Sequence, residues 1–273
     1  MKISATEVNK LRQLTGAGMM DCKNALLESK GNFDLAIENL RKKGQKVAAN
    51  RADRLSSQGV VLAKVNDTYN KGVILSLNCE TDFVAKNESY LELANKFVVL
   101  ALNHDNLDSF LVSEYEGMKV SDKLIEQTGI IGEKIELGGF KILEAPFIGS
   151  YIHAGNKIAA LCGLSKISNN SAEISKNICM QIAAMSPIAL NEEGVDSKTI
   201  QKEIEIAKDQ LRQEGKPEDM LENIAKGKMK RFFKENTLVN QIYIKDNKKT
   251  VSQYVSSFDK DLLITGFSRI SLV

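Results

Sequence analysis

The chain has 273 residues, of which 43% are hydrophobic and 26% are charged, and its formal net charge is +2. This length allows about two domains, and the composition is that of a globular protein rather than a disordered one. No apolar run approaches the roughly 20 residues that span a membrane, and the first residues lack the apolar core of a signal peptide. Cys22, Cys79, Cys162 and Cys179 form no CxxC pair, so buried free thiols in a reducing cytoplasm are expected.

The positive charge is concentrated near the N-terminus. Residues 1–55 contain 11 lysines and arginines but only six acidic residues, which suits contact with RNA or with an acidic protein surface. This segment has a single aromatic residue, Phe33. Because single-stranded nucleic acids are bound largely by stacking on aromatic side chains, direct nucleic-acid binding is disfavoured.

Three short helices are predicted in residues 4–44. A glycine-rich turn at 15–18 separates the first two, and Gly44 is expected to end the third. Met19 beside the turn is either core filler or a soft protein contact, with the core position slightly favoured. Such a bundle resembles ubiquitin-associated modules and is too small for catalysis, so it is expected to bind something. The predicted apolar positions are Val8, Leu11, Leu14, Met20, Ala25, Leu26, Leu27, Phe33, Leu35, Ala36, Ile37 and Leu40.

A helical linker is predicted for residues 45–54, and the hydrophobic period then changes from that of a helix to that of a strand. The pattern of hairpin, helix, helix and strand occurs twice, which indicates two related α+β subdomains formed by duplication. The first copy comprises strands at 60–65 and 72–77, helices from Glu88 and at 121–127, a connection at 128–132 and a strand at 133–143. The second comprises strands at 149–153 and 157–164, a helix with Ile174, Ile178, Ile182 and Met185 on one face, a helix at 251–255 and a strand at 262–272.

The second copy carries an insertion at 187–233 with no strand pattern. Two helical stripes flank a Gly-Lys-Pro tip at 215–217, which predicts an antiparallel helical hairpin. The stripe is interpreted as an internal seam, and the exposed tip as a possible contact for a partner or a second copy. The stripe residues are Ile200, Ile204, Ala207 and Leu211, followed by Met220, Ile224 and Gly227.

The segment 78–87 places Asp82 and Phe83 between a strand and a helix. Either Phe83 fills the core of this chain and Asp82 caps the next helix, or the pair is inserted into another molecule. Local pattern favours the first interpretation, because buried aromatic residues and capping acids are common. However, the second copy has Lys-Ile-Ser-Asn-Asn at 166–170 instead. A pair needed only for the fold is expected in both copies, so this asymmetry favours the second interpretation.

Candidate catalytic groups are few. The two histidines, His104 and His153, form no triad spacing or HExxH motif, and the glycines at 16 and 18 lack the ending of a phosphate loop. The residues therefore indicate a binding protein that is not an enzyme and needs no cofactor or metal.

Three motifs, in this order and spacing, resemble the bacterial translation elongation factor Ts family: TGAGMMDCK at 15–23, NCETDFVAK at 78–86 and GSYIH at 149–153. The resemblance covers essentially the whole chain. It implies an α+β fold with an N-terminal three-helix ubiquitin-associated-like module, two related antiparallel core subdomains and an inserted antiparallel coiled coil. The implied boundaries are 1–55 for the module and linker, 56–145 for the first subdomain, 146–186 plus 234–273 for the second, and 187–233 for the hairpin.

The resemblance also implies a function: guanine-nucleotide exchange on elongation factor Tu, by disturbing its magnesium and phosphate site so that GDP leaves. No membrane or direct nucleic-acid partner is implied, the location is cytoplasmic, and a homodimer through the hairpin is an open alternative. The implied magnesium-dislocating residues are Thr81, Asp82, Phe83 and Val84. Further implied partner contacts are Met19, Met20, Lys23, Ile131, Gly132 and His153.

Many family members continue past the last core strand into a C-terminal helical module. This sequence ends at Val273, so that contact is expected to be missing and the complex weaker. The alternative function is an adaptor or chaperone-like protein that binds a partner through the N-terminal bundle. An enzyme is the third and most distant alternative.

Overall fold

The computed structural model describes residues 3–273. It combines helices with small antiparallel sheets, so the predicted α+β class is confirmed. Among these residues no helix is long and apolar enough to cross a membrane. The four cysteines are free and buried, as predicted. Burial raises the pKa of the Cys79 and Cys162 thiols, which keeps them protonated and unreactive.

The N-terminal module contains the three predicted helices. They are α1 (Ala5–Thr15), α2 (Met19–Glu28) and α3 (Phe33–Asn50). Ser4 begins α1 through a capping box, in which its hydroxyl accepts from the Glu7 N–H and the Glu7 carboxylate accepts from the Ser4 N–H. The buried hydrophobic side chains of the module are Val8, Leu11, Ala17, Cys22, Ala25, Leu26 and Ala36.

Several of the predicted apolar positions lie outside the core of this module. Leu14, Met20, Leu27 and Leu35 are exposed. Each short helix buries only a stripe spaced by three and four residues, as Cys22, Ala25 and Leu26 do on α2. The sequence supplies more apolar side chains than these stripes can hold, so the excess lies on the surface.

The first core half is built on a three-stranded sheet with the order β1-β2-β5. Its elements are β1 (Gln58–Val65), β2 (Lys71–Cys79), α4 (Asp82–Ala85), α5 (Glu88–Ala101), α6 (Leu107–Leu111), β3 (Glu114–Tyr115), β4 (Met118–Lys119), α7 (Val120–Ile131) and β5 (Glu136–Glu144). The expected connection at 128–132 is wrong, because α7 continues to Ile131. It ends where Gly132 adopts the left-handed conformation, with φ 79°.

Gly44 does not end the third helix as predicted. The helix α3 continues through Gly44 to Asn50, and it crosses α7 at Gly129. A Cβ on Gly129 would lie less than 3.0 Å from the Cα of Gly44, so the two backbones touch. The glycine at 44 thus serves close helix packing rather than a turn, and residues 45–50 form part of one continuous helix.

The second core half repeats this plan with the strand order β10-β7-β6. Its elements are β6 (Phe147–Ile152), β7 (Ile158–Leu164), α8 (Ser171–Met185), α9 (Ser197–Gln213), α10 (Glu218–Asn236), β8 (Ile242–Tyr243), β9 (Asp246–Thr250), α11 (Val251–Ser256) and β10 (Ile264–Ser271). On α8 the predicted stripe is buried except for Met185, which is exposed.

The two halves have matching topology. In each, the second strand of the hairpin is central and the last strand of the half pairs with it in antiparallel orientation. The sheets pack against each other through a shared apolar cluster of Val61, Ile74, Ile148, Ala159 and Leu161. The repeated plan agrees with duplication, whereas the domain boundaries, the ubiquitin-associated likeness and the coiled coil stay predictions.

The inserted segment contains the predicted pair of helices, α9 and α10. Ala207 and Leu211 of α9 are buried as predicted, and an ion pair joins Lys208 Nζ to Glu222 of α10 at 2.9 Å. The predicted stripe on α10 is wrong, because the buried positions lie one or two residues further along the chain. Met220 and Gly227 are exposed, and the buried positions are Leu221, Ala225 and Met229.

We expect Gly129→Ala to destabilise the protein, because the added methyl group meets the backbone of α3. Overpacking of this kind costs about 1–3 kcal/mol. Gly227→Ala is the matched control, since it also replaces a helical glycine but has no atom within 4 Å of the new Cβ. It should stabilise by about 0.5–1 kcal/mol through helix propensity alone. Urea unfolding followed by circular dichroism compares the two, and equal shifts would contradict the helix crossing.

We expect Leu221→Ala to loosen the α9–α10 pair and Met220→Ala to leave it nearly unchanged. Leu221 is 2% exposed and Met220 is 53% exposed. Truncation of a buried leucine costs about 2–5 kcal/mol, whereas surface changes stay within about 0.5 kcal/mol. Hydrogen–deuterium exchange of the peptides from α9 and α10 measures the effect. A larger effect of Met220→Ala would restore the stripe predicted from sequence.

Candidate partner-binding site

The segment that follows β2 forms a single helical turn, α4. Thr81 is its N-cap, and the Thr81 hydroxyl accepts from the Val84 N–H at 3.5 Å. Ala85 is the one residue of the turn that is buried. Residues two positions apart in a helix point in directions about 200° apart around its axis. Because Ala85 faces the core, Phe83 faces away from it.

Phe83 is 82% exposed. The interpretation of Phe83 as a core plug is therefore wrong. Lone apolar residues are common on protein surfaces. Phe83, however, lies on a capped turn at the end of a buried strand, so its ring is accessible to a partner from a fixed position.

Asp82 is not the cap of the turn, because Thr81 fills that position. The Asp82 carboxylate accepts a hydrogen bond from Lys86 Nζ at 2.6 Å, one helical turn away. This bond and the charge of Lys86 hold the pKa of the Asp82 carboxyl below its ordinary value, and Lys157 adds a smaller effect in the same direction. Asp82 is thus ionised and half-exposed beside Phe83.

Glu133 binds the residue that begins this turn. Its carboxylate accepts from the Thr81 N–H at 3.0 Å and from the Thr81 hydroxyl at 2.7 Å. The neighbouring Glu80 carboxylate accepts from the Lys134 N–H at 2.6 Å and from Arg51 Nη1 at 2.7 Å and 2.9 Å. The Lys134 N–H and then Arg51 lower the pKa of Glu80.

Sequence reasoning did not single out Glu133, Glu80 or Arg51 as supporting residues. Their bonds link positions far apart in the chain, so no local pattern reveals them. The only sequence signal is that Glu80 lies within the motif at 78–86 and Glu133 directly follows Gly132.

Ile131 and Gly132 lie beside this turn. They end α7 and directly precede Glu133 and Lys134, whose contacts with Thr81 and Glu80 join the two segments. The structure therefore brings together Thr81–Val84 and Ile131–Gly132, which are separate in sequence.

The predicted contacts of the N-terminal module are on its surface. Met19 is 51% exposed and Met20 is 63% exposed, and Lys23 is exposed on the same helix. The favoured core position for Met19 is wrong, because the first turn of α2 extends past the buried stripe that begins at Cys22. A Cβ on Gly16, just before α2, would lie 3.8 Å from Ile130 Cδ1, which places the start of α2 near the end of α7.

His153 is exposed in the turn between β6 and β7, with its Nδ1 3.0 Å from the Tyr151 hydroxyl. In the same turn, Lys157 Nζ donates to the carbonyl oxygens of the Gln58 side chain and Gly59, at the start of β1. Gln58 pairs with Cys79 at the end of β2. The turn that carries His153 thus lies at the end of the first sheet from which α4 emerges.

Comparison with known proteins gives a consistent result. The family model described as Elongation factor TS matches residues 80–272. Elongation factor Ts of Christiangramia forsetii is 64% identical over 271 residues, covering 99% of each chain. Elongation factor Ts of Flavobacterium psychrophilum is 61% identical over 270 residues, covering 99% of this chain and 98% of the relative. That of Amoebophilus asiaticus is 46% identical over 273 residues, covering 99% of each. The chain belongs to the elongation factor Ts family, and its role is that of a bacterial translation elongation factor.

Proposed function

We propose that this protein is a guanine-nucleotide exchange factor for elongation factor Tu. It binds the GDP form of that GTPase in the cytoplasm, disturbs the magnesium and phosphate site, and promotes GDP release during translation elongation. It acts by binding alone, without a catalytic residue or a cofactor of its own. The observation that carries the proposal is Phe83, exposed on a capped turn beside the ionised Asp82.

Phe83 supplies the apolar part of the interaction. Its ring is exposed in this chain, so insertion between elements of a partner removes that apolar surface from water. Full burial of a phenylalanine side chain contributes about 1.5–3 kcal/mol. If the gap that receives the ring opens only when GDP leaves, this energy favours the GDP-free state. By thermodynamic linkage, the factor and GDP then weaken each other's binding by the same ratio.

Asp82 supplies the electrostatic part. A magnesium ion is the largest local charge holding the phosphates of a bound nucleotide. A carboxylate brought near that ion competes with its ligands or repels the phosphate oxygens, and Asp82 is already ionised. Lys86 neutralises this charge in the free factor at 2.6 Å, and we propose that the partner separates the pair.

The other predicted contacts extend the same surface. Thr81 and Val84 frame Phe83 on its turn, and Ile131 and Gly132 flank the turn. We propose that Met19, Met20 and Lys23 contact the GTPase domain near its nucleotide base, and that His153 contacts another domain of the partner. Their exposure or half-burial and their approach to one end of the first sheet support this assignment.

A homodimer through the α9–α10 pair accompanies the proposal as a separate prediction. Ile206 and Met220 are exposed apolar side chains on these helices. An adaptor that binds elongation factor Tu without accelerating GDP release is the alternative function, and the exchange measurement below separates the two.

We expect Phe83→Ala to slow factor-stimulated GDP release about 10- to 100-fold, since loss of the buried ring removes about 1.5–3 kcal/mol. Asp82→Ala should also slow release, because the charge near the magnesium site is lost. Stopped-flow measurement of fluorescent GDP leaving elongation factor Tu tests both variants, with circular dichroism to confirm folding.

Ile167→Ala is the matched control for this experiment. Ile167 follows the hairpin of the second half as Phe83 follows that of the first, and it is 69% exposed. It should leave GDP release unchanged. Binding of the wild-type factor without faster release would favour the adaptor, and unchanged rates in both Asp82 and Phe83 variants would remove these residues from the mechanism.

We expect Lys86→Gln to raise the pKa of Asp82 towards its ordinary value. The folded-state pKa is lowered by Lys86, so the stabilisation from this pair is present above the ordinary pKa and fades as the pH falls through the lowered one. An NMR titration of the Asp82 carboxyl carbon measures the shift. Lys42→Gln is the control, because Lys42 lowers the pKa of Glu38 in the same i, i+4 arrangement. An Asp82 pKa that responds equally to both changes would contradict a specific pair.

A further inference from the structure

The strands β2 and β5 pair along their length up to Asn78 and Glu136. Beyond this point their ends continue side by side, but side-chain carboxylates replace backbone carbonyls as acceptors. Glu133 accepts from the Thr81 N–H, and Glu80 accepts from the Lys134 N–H. We call this reciprocal arrangement the carboxylate latch.

We propose that Glu133 is a positioning residue for nucleotide exchange, acting through Thr81 to hold the turn that carries Phe83. This inference rests on the proposed exchange function. Glu133 needs no contact with the partner in this role, which distinguishes it from the predicted contact residues that surround it.

The hydrogen bonds set the direction of this effect. Because the Thr81 hydroxyl donates its one proton to Glu133, its lone pairs are left for the Val84 N–H. Glu133 therefore orients the cap of α4. The Thr81 hydroxyl lies 2.7 Å from the Glu133 carboxylate but 3.5 Å from the Val84 N–H, so the bond to Glu133 is the shorter of the two that fix this side chain.

The turn depends on such support. α4 has four residues, and isolated helices shorter than about 12 residues are marginal in water. Ala85 is buried in the first core cluster and Val84 packs partly buried against it, while Phe83 is 82% exposed and adds little packing to its own chain. Without the bonds from Glu133, the turn keeps its place in the chain but loses the fixed direction of the Phe83 ring.

Arg51 supports the other half of the latch. It is the C-terminal residue that follows α3, and its guanidinium contacts both oxygens of Glu80. Glu80 and Arg51 are largely buried from solvent, with 17% and 34% of their side chains exposed. The latch thus connects the turn both to the start of β5 and to the end of the N-terminal module.

The alternative is that Glu133 merely satisfies the Thr81 N–H and stabilises the fold. A double-mutant cycle with Phe83 separates these roles. We expect Glu133→Ala to slow GDP release about tenfold at saturating factor, equivalent to about 1.4 kcal/mol. In the Phe83→Ala background the same change should add almost nothing, because the ring that Glu133 positions is absent.

Glu133→Gln keeps one acceptor oxygen and should lose less activity than Glu133→Ala. If circular dichroism shows that the alanine variant is unfolded, the cycle is run with the glutamine variant. Glu92→Ala removes an exposed acid from α5 and should leave release unchanged. Wild-type release rates in both Glu133 variants, or losses that multiply in the double variant, would overturn the inference.

Hydrogen–deuterium exchange of the factor alone tests the latch without the GTPase. Peptides covering 80–87 should exchange faster in Glu133→Ala than in the wild type, while those of β2 and α5 stay unchanged. Unchanged exchange at 80–87 overturns the latch. Failure of the wild-type factor to accelerate GDP release instead overturns the proposed function and leaves the latch standing.

Discussion

The pairing of β2 with β5 is the constraint on which the candidate site depends. β2 is the central strand of the first sheet and is buried along almost its whole length. Because β5 lies beside it in a fixed register, the chain entering β5 is placed next to the chain leaving β2. Thr81 and Glu133 can meet for this reason, although an entire helical layer separates them in sequence. The position of the site therefore depends on the sheet topology, and the local motif alone does not determine it.

The segment beyond β2 is held both by the packing of Val84 and Ala85 in the first core cluster and by the hydrogen bonds between Thr81 and Glu133. An exposed phenylalanine gains nothing from its own chain, so its direction has to be fixed by other atoms. Thr81, Glu133 and the buried Ala85 provide that support. The apolar surface of the N-terminal module is similar in kind, since Met19 and Met20 project from a helix whose opposite face is packed. Both surfaces keep apolar area available for a partner at some expense of internal burial.

The sequence was sufficient to predict the six strands of the two core sheets, the repeated plan of the two halves and the family, because each depends on local patterns, but it missed the short strands β3, β4, β8 and β9. It could not predict features decided by contacts between distant residues. Gly44 has the same local signature as a helix-ending glycine, and only the backbone of Gly129 across the crossing shows why the helix continues. Likewise Met220 and Leu221 are adjacent apolar residues, so periodicity alone leaves the buried one ambiguous by one position. Nothing in the sequence around Glu133 distinguishes it from a surface acid, because its partner Thr81 lies 52 positions away.

The continuous helix α3 connects the N-terminal module to the first core half. This helix belongs to the N-terminal module, touches α7 at Gly129 and is followed directly by Arg51, which binds Glu80 of the latch. A flexible linker after Gly44 would have let the module bind independently of Phe83. With two fixed attachment points, the contacts proposed for Met19 and Met20 would restrict where the ring of Phe83 lies. On the proposed mechanism, binding energy gained at the module then favours insertion of the ring, because the entropy of bringing the two contacts together has already been lost in folding.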